Sequence, residues 1–461
     1  MSASVSAPDH ATTPGRQIAR IAVPVSLEFV FMLLLNFVNQ VVVGALGATA
    51  IAAVGFANSL TFILLVTIGA LGSSVSILVA RAFGAGRRGE LSGTVSAALL
   101  LAGTLTALAA IPLALWAAPL LRLTGASATV ASAGTDYLRV SAIALVPGVL
   151  GAVLSGVLRS LGHARTPMMA TLVTVLLNTL LGYLLVFGVG PLPRLGVAGA
   201  AWATVITGVL KTCILLYQVY GPRQLATWAA PRGVAGWRVV LGPLFTLALP
   251  LGITELAWSV GTFLYNVVFG RLGDEALAAA QIVNSLEAVF ILGSIGLMSA
   301  TTALVGRSLG SGDAAGALGW VRRVLSVGVG TGLGFGVLFA LSALLLRPLF
   351  PQVSEEVRGM AMWGVLIYAA FQVVKVRNMI LGAGVLPSGS DVQGVILGDV
   401  VSAFLVGLPL AIVLGFFTPL GVMGLFLARG IEESVKLAIF TWRGRRLRWE
   451  HLAEQQVAAA A

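Results

Sequence analysis

A few polar and ionisable residues interrupt the long apolar stretches of this 461-residue chain, and their spacing indicates ion chemistry. In the first half, Glu28 lies eleven residues before Asn39. That distance is close to three helical turns, so one face of a helix would carry both side chains. Asn36, three residues from Asn39, would widen the same polar stripe. Glu28, Asn36 and Asn39 are therefore candidates for binding an ion or an organic ligand.

The second half of the chain carries more of these acidic residues. Glu255 and Asn266 are again eleven residues apart, and Tyr265 would lie near them and could offer its ring to a cation. Glu255 also follows Pro250 by five residues, and a proline inside a helix leaves a backbone carbonyl group without its donor. A carboxylate beside free carbonyl groups could hold Na⁺ or a proton. The sequence therefore predicts an ion site centred on Glu255 and no other metal site.

Other charged residues in the later apolar stretches have a functional and a purely structural interpretation. A charge inside an apolar span is energetically unfavourable, so a charged residue found there is a functional candidate by default. Glu287, Asp399 and Lys375 are therefore further candidates for ion coupling or ligand binding. Alternatively, Lys375 and Arg377 could serve only to neutralise Glu287 or Asp399. Glu433 and Lys436 are three residues apart and could form a pair within one helix.

The composition shows which elements must position these residues. Hydrophobic residues make up 58% of the chain and charged residues only 10%, with a mean hydropathy of +1.00. A soluble domain needs about 25% charged residues to face water. Stretches long enough to cross a bilayer as helices recur about twelve times, near residues 18–44, 50–80, 92–118, 136–158, 167–190, 196–220, 239–269, 276–306, 321–346, 361–384, 393–415 and 420–441. We predict an all-α integral membrane protein with twelve transmembrane helices.

The arginines between these stretches indicate the orientation. Both tails and alternate connections hold 17 arginines, and the remaining connections hold 6. Connections rich in arginine face the cytoplasm, so the net charge of +11 reflects topology and no nucleic-acid partner is expected. We predict a multi-pass protein of the cell (inner or plasma) membrane with cytoplasmic termini. Its predicted parts are an N-terminal tail (1–17), a first lobe (18–220), a cytoplasmic linker (221–237), a second lobe (238–445) and a C-terminal tail (446–461).

An internal repeat relates the two lobes. The phrase VGALGATAIAAVGFANSL at residues 43–60 returns as FGRLGDEALAAAQIVNSL at 269–286, with nine of eighteen positions identical at an offset of 226. Pro24 and Pro250, and Arg81 and Arg307, match at the same offset. Two copies of a six-helix unit explain this pattern, and units with an even number of spans have the same orientation in the membrane. The matched prolines are predicted hinges.

Several stretches resemble one family of membrane proteins. They are IAVPVSLEFVFMLLLNFVNQVVVGALGATAIAAVG, ARAFGAGRRGE, LPLGITELAW, GRLGDEALAAAQIVNSLEAVF, GLMSATTALVGRSLGSGDAAGA, LRSLGHARTPM and NMILGAGVLPSGSD. In this order they resemble the multidrug and toxic compound extrusion (MATE) family over roughly residues 18–445. The resemblance implies two six-helix lobes around a V-shaped cleft. It also implies a secondary antiporter that exports lipophilic, often cationic, organic compounds in exchange for H⁺ or Na⁺.

One position departs from the family, and one alternative stays open. Family members commonly carry an aspartate five residues before the glycine matched by Gly44, and this chain has Asn39 there, whose amide cannot exchange a proton.

We expect no enzymatic activity and no cofactor besides the coupling ion. The expected partners are a small organic substrate, the coupling cation and the lipid bilayer, with the protein a monomer. The alternative is a flippase for lipid-linked or polysaccharide substrates from the same superfamily, in which Lys375 and Arg377 would serve phosphate groups.

Overall fold

The computed structural model describes residues 13–123, 128–190, 193–222, 224–351 and 353–458, without the side chains of residues 48, 63, 66 and 67. Residues 1–12 of the predicted N-terminal tail, Arg223 of the linker and residues 459–461 lie outside these ranges. All regular structure in the described ranges is helical. Many large apolar side chains, such as Phe37 and Leu338, are exposed on the helix surfaces, as a chain solvated by lipid requires.

Twelve long helices correspond to the twelve predicted spans. They are α1 (Pro14–Gly44), α2 (Ala48–Gly84), α3 (Arg88–Leu115), α4 (Ala128–Ser160), α5 (Arg165–Phe187), α6 (Val197–Tyr220), α7 (Gly233–Leu272), α8 (Asp274–Gly310), α9 (Ala314–Ser342), α10 (Glu355–Ala370 and Gln372–Ser388), α11 (Val392–Phe416) and α12 (Val422–Arg446). Shorter helices at Ala117–Leu123, Leu346–Leu349 and Trp449–Ala458 flank them. The predicted all-α, twelve-helix architecture is confirmed.

Not every one of these helices is a strong membrane span by composition. Among the described residues, nine helices are long and apolar enough to cross a bilayer, and α10 becomes a tenth if its two parts, bent by 52°, count as one span. In α2 the described side chains form two apolar stretches, Thr49–Phe62 and Ile68–Gly84. Helix α12 differs because Arg429, Glu432, Glu433 and Lys436 lie along it.

The two halves of the chain pack in the same way. In the first half α4 packs against α2, α3 and α6, and α5 lies against α1 and α6. In the second half α10 packs against α8, α9 and α12, and α11 lies against α7 and α12. This repetition is the structural counterpart of the sequence repeat. We call α1–α6 the first lobe and α7–α12 the second lobe; the lobes meet where α1 and α2 contact α7 and α8.

Local irregularities in the second lobe bring polar side chains into its interior. Helix α10 bends at Phe371, and residues Leu381–Val385 of α10 and Val401–Gly407 of α11 form π-helical turns. Such turns frequently occur at functional sites because they change the direction of the side chains that follow.

Candidate functional site

In the first lobe, Glu28 is buried and paired with two cations. Its carboxylate accepts hydrogen bonds from Arg159 at 2.7 Å and from Lys211 at 3.2 Å, and the hydroxyl of Thr171 donates at 3.3 Å. These partners come from α4, α6 and α5 around α1, and Glu28 is only 1% exposed. One acid and two bases give this cluster a net charge of +1. The sequence pattern identifies Glu28, but Arg159 lies one residue beyond the predicted span 136–158 and is therefore not marked as an interior cation.

The predicted polar stripe on α1 does not continue into this cluster. Asn36 is exposed and Asn39 is half-buried. Within the described residues, neither amide has a hydrogen-bond partner in the structure. Pro24 is buried inside α1, one turn before Glu28. The structure therefore brings Glu28 to a paired interior position and leaves the two asparagines apart from it.

In the second lobe, Glu287 forms an ion pair with Lys375. The ammonium group of Lys375 donates a hydrogen bond to Glu287, and the amide of Gln372 donates another at 3.1 Å. The same ammonium group lies 4.0 Å from the centre of the Tyr368 ring, whose electron-rich face stabilises a cation. Both charges of the pair are thus satisfied within the lobe, and Glu287 is the acid that Lys375 contacts.

Tyr265 lies beside a second acid, Glu432, and not in the predicted ion site around Glu255. Its hydroxyl donates to Glu432 at 2.6 Å, and Arg429 lies 3.2 Å from the same carboxylate. The guanidinium of Arg429 also stacks on the Tyr265 ring at 4.6 Å. Gly407 leaves room for this arrangement, because a Cβ there would lie 2.5 Å from both the tyrosine oxygen and the Glu432 carboxylate.

Lys436 joins two further acids across the same lobe. Its ammonium group lies 3.1 Å from Asp399 on α11 and 3.7 Å from Glu433 on α12. The amide of Asn378 donates to the Glu433 carboxylate at 2.7 Å. The predicted pair of Glu433 and Lys436 is therefore present, and Lys436 also bridges to the neighbouring helix.

Glu255 differs from every acid described above. Its side chain is exposed, and among the described residues no hydrogen bond or ion pair to it is present. It lies close enough to Asp399 for the two carboxylates to repel each other. Asn266 is half-buried and accepts a hydrogen bond from Gln281 at 3.3 Å. The carbonyl of Pro250, one turn before Glu255, accepts the hydroxyl of Thr254 at 2.8 Å.

Metal binding by clustered ligands has no support among the described residues, because no group of three or more His, Cys, Asp or Glu is placed to hold a metal ion there. An alkali cation held by carbonyl and amide oxygens with one carboxylate would not form such a group. The site therefore offers one unpaired carboxylate, that of Glu255. The other acids described above, inside the lobes, all have a cationic or hydrogen-bonding partner.

Comparisons with known proteins agree with the fold and with the repeat. The sequence model of the MatE family matches residues 24–184 and again residues 250–413. Those two matches begin at the repeated prolines, Pro24 and Pro250. A probable multidrug resistance protein NorM from Deinococcus radiodurans is 30% identical over 454 residues, covering 96% of this chain and 97% of the relative. A protein of the same name from Rhizobium meliloti is 28% identical over 444 residues, covering 94% of this chain and 91% of the relative.

Solved structures show the same fold at lower sequence identity. A crystal structure of a MATE protein in the bent conformation aligns with a TM-score of 0.87 and 21% identity, covering 97% of this chain and 98% of the other. An outward-facing multidrug resistance MATE transporter of the MOP superfamily aligns with a TM-score of 0.83 and 20% identity, covering 96% and 97%. This likeness supports the arrangement of helices in two lobes.

Proposed function

This chain belongs to the MatE family of multidrug efflux transporters, and on that premise we propose that it is a secondary antiporter of lipophilic, cationic organic compounds. Export would be driven by exchange for H⁺ or Na⁺ through alternating access of the two lobes. The observation that carries this proposal is the state of Glu255. Among the acids that the structure describes in the apolar segments of the twelve helices, Glu255 is the one that is both exposed and unpaired.

An exposed carboxylate in the apolar part of a membrane protein must face water, because a charge facing hydrocarbon is strongly unfavourable. One turn before Glu255, Gly252 lies against Ala70 of the first lobe, with 3.8 Å between the Ala70 Cβ and a Cβ placed at the glycine. The side of α7 near Glu255 thus borders the boundary between the lobes. We therefore assign Glu255 to the central cleft, where it can take up a proton, Na⁺ or a cationic substrate.

Repulsion from Asp399 supports the same role. A second negative charge near Glu255 favours the binding of a proton or a metal cation there. Of these two acids, only Asp399 has Lys436 as an ion-pair partner, with 3.1 Å between the ammonium nitrogen and the carboxylate. Glu255 is left as the group whose charge can change during the cycle.

The flippase alternative depended on cationic groups open to a phosphate. Lys375 is hydrogen-bonded to Glu287 and stacked on Tyr368, so its charge is already compensated. Lys375 is therefore not open to a phosphate, whereas the half-buried Arg377 has no ion pair among the described residues. The unpaired carboxylate of Glu255 is what favours organic cations over phosphate head groups. We also propose a monomer in the plasma membrane with both termini in the cytoplasm.

A transport assay with matched variants tests the proposal. Purified protein in liposomes would be given a fluorescent organic cation under a pH gradient alone and under a Na⁺ gradient alone. Glu255→Gln keeps the shape of the side chain and loses its charge, so gradient-driven transport should be abolished while some ligand binding remains. Glu275→Gln, at an exposed acid in the first turn of α8, is the control and should transport normally. Normal transport by Glu255→Gln together with an inactive Glu28→Gln would assign coupling to the first lobe.

A further inference from the structure

Two repeat-related arginines, Arg81 and Arg307, each reach across to the opposite lobe. Arg81 lies near the end of α2 and donates hydrogen bonds to the carbonyl of Ser388 and to the hydroxyl of Ser390 at 2.9 Å, both in the second lobe. Arg307 lies near the end of α8 and donates to the carbonyl of Ser160 in the first lobe, from Nε at 2.8 Å and from Nη2 at 2.6 Å. The two contacts cross each other, as the two-fold relation of the repeat requires.

The acceptors are the same structural element in the two lobes. Ser160 is the last residue of α4, and Ser388 is the last residue of α10. The turns that follow have the same hydrogen bonds: His163 to the carbonyl of Leu158 in one, and Asp391 to the carbonyl of Leu386 in the other. The last carbonyls of a helix lack partners within it and carry the negative end of the helix dipole, so a guanidinium is a favourable cap.

The residues of the two turns differ, and one of these differences strengthens the Arg81 contact. Ser390 has a φ of 62°, a left-handed conformation that is uncommon for residues other than glycine. The corresponding residue in the first lobe is Gly162, with a φ of 81°. Glycine would fit this backbone conformation better than the serine that is present. Its hydroxyl gives Arg81 an additional acceptor.

Close backbone packing holds the two arginine-bearing helix ends together. A Cβ added to Gly84 would lie 2.0 Å from the Arg307 carbonyl oxygen, and one added to Gly310 would lie 2.0 Å from that of Arg81. Within the described residues, neither arginine has a carboxylate partner, and Arg81 is only 9% exposed. The buried guanidinium of Arg81 and the half-buried one of Arg307 have their hydrogen-bond acceptors in the opposite lobe, and Arg307 also lies 5.2 Å from the centre of the Phe83 ring there. Separating the lobes at this face would remove those contacts.

We propose that Arg81 and Arg307 form a crossed lock between the lobes on the arginine-rich side of the membrane, and that this lock opens once in each transport cycle. The lock positions the lobes and does not contact the substrate. Its role in the cycle rests on the alternating-access function proposed above. Because two equivalent arms contribute, loss of one arm should weaken the closed state and loss of both should favour separation of the lobes at this face.

Distances between spin labels test the lock without substrate or gradient. Labels would be attached to cysteines at Gly89 and Ala315, which are exposed, repeat-related and located at the starts of α3 and α9. The exposed native cysteine, Cys213, would be replaced by serine. In Arg81→Gln/Arg307→Gln the long-distance population should rise roughly tenfold, since hydrogen bonds from charged groups are lost. Each single variant should shift it less, and Arg88→Gln, an exposed arginine on the same side, should not shift it.

A milder variant distinguishes loss of the inter-lobe contact from simple misfolding. Ser390→Ala removes only the hydroxyl acceptor of Arg81 and should shift the distance distribution in the same direction by a smaller factor. If the double arginine variant loses thermal stability but keeps the parental distance distribution, the arginines are merely structural and the lock is refuted. A shift in distances together with absent transport by the parent protein would support the lock and count against the proposed antiport.

Discussion

The ammonium group of Lys436 lies 3.1 Å from the carboxylate of Asp399, on the neighbouring helix α11. Its repeat counterpart, Lys211, instead lies 3.2 Å from Glu28, on the first helix of its lobe. The lysine of the second lobe is therefore not available to the acid of that lobe's first helix, Glu255. Equivalent lysines therefore pair with acids on different helices in the two lobes, and Glu255 is left without a cationic partner among the described residues.

Glu28→Gln should destabilise the protein more than Glu255→Gln. Glu28 is 1% exposed and compensates Arg159 and Lys211, so neutralising it leaves two half-buried cations without their acid. Breaking a buried pair typically costs about 3 kcal/mol or more. The apparent unfolding temperature, followed by tryptophan fluorescence in detergent, should fall clearly for Glu28→Gln and little for Glu255→Gln. Equal unfolding temperatures would mean that the first-lobe cluster does not act as a stabilising ion pair.

Asn39→Asp should be tolerated and should change how export depends on pH. Asn39 is half-buried, and within the described residues its amide has no hydrogen-bond partner to lose. An aspartate there would add a group that exchanges protons at the position where relatives commonly carry one. Export of a fluorescent cation would be measured over a series of external pH values, with Asn36→Asp as the exposed comparison on the same helix. Complete loss of export at every pH by a well-inserted variant would contradict this expectation.

The sequence predicted the fold far better than the interior contacts. Apolar length, arginine asymmetry and the 226-residue repeat each depend on the properties of whole helices, and these survive an error of a few residues at a helix end. The predicted span 196–220, for example, is observed as Val197–Tyr220. Whether an acid inside a span is paired depends on which neighbouring helix packs against its face of the helix. That packing involves residues far apart in the chain, so the sequence around the acid does not reveal it.

Two residues illustrate this limit. Tyr265 shares a predicted stripe with Glu255, yet it points to Glu432 on α12, because the stripe is wide enough for its members to have different neighbours. Arg159 lies one residue beyond the predicted span 136–158. It is in the last turn of α4 and extends back to Glu28, as long side chains near helix ends can. The one signal for the first-lobe cluster was Lys211, which interrupts an apolar stretch and matches Lys436 in the repeat.

The arginine asymmetry leads to a topological prediction. Cysteines introduced at Arg194 and Arg446, in a Cys213→Ser background, should react with an impermeant maleimide from opposite sides of the membrane. Arg194 is exposed between α5 and α6, and Arg446 is the last residue of α12. Labelling of whole cells and of inverted vesicles distinguishes the sides. Reaction of both cysteines from the same side would overturn the predicted arrangement with cytoplasmic termini.

Pro250→Ala should slow transport without preventing folding. Alanine restores the backbone N–H that proline lacks and removes the clash of the ring with the preceding turn, so α7 becomes stiffer at its hinge. Pro243 lies in the same helix two turns earlier and has no counterpart in the repeat, so Pro243→Ala is a matched control. Initial rates of export at saturating substrate would be compared at equal protein density. Unchanged turnover in Pro250→Ala would argue against a gating hinge at this residue.

Glu255 and Asp399 should behave as one functional unit. If the two carboxylates share a proton or cation, removing either charge disables the same step, and removing the second adds little. Transport rates of Glu255→Gln, Asp399→Asn and the double variant form a double-mutant cycle, in which residues of one unit show strong non-additivity. The control cycle combines Glu255→Gln with Asp391→Asn. Asp391 precedes α11 and pairs with Arg443, in a cluster separate from Glu255, so the effects of these two substitutions on the transport rate should be additive in free energy. If the losses from Glu255→Gln and Asp399→Asn simply multiply, the repulsion between the two acids has no part in coupling, and Glu255 acts alone.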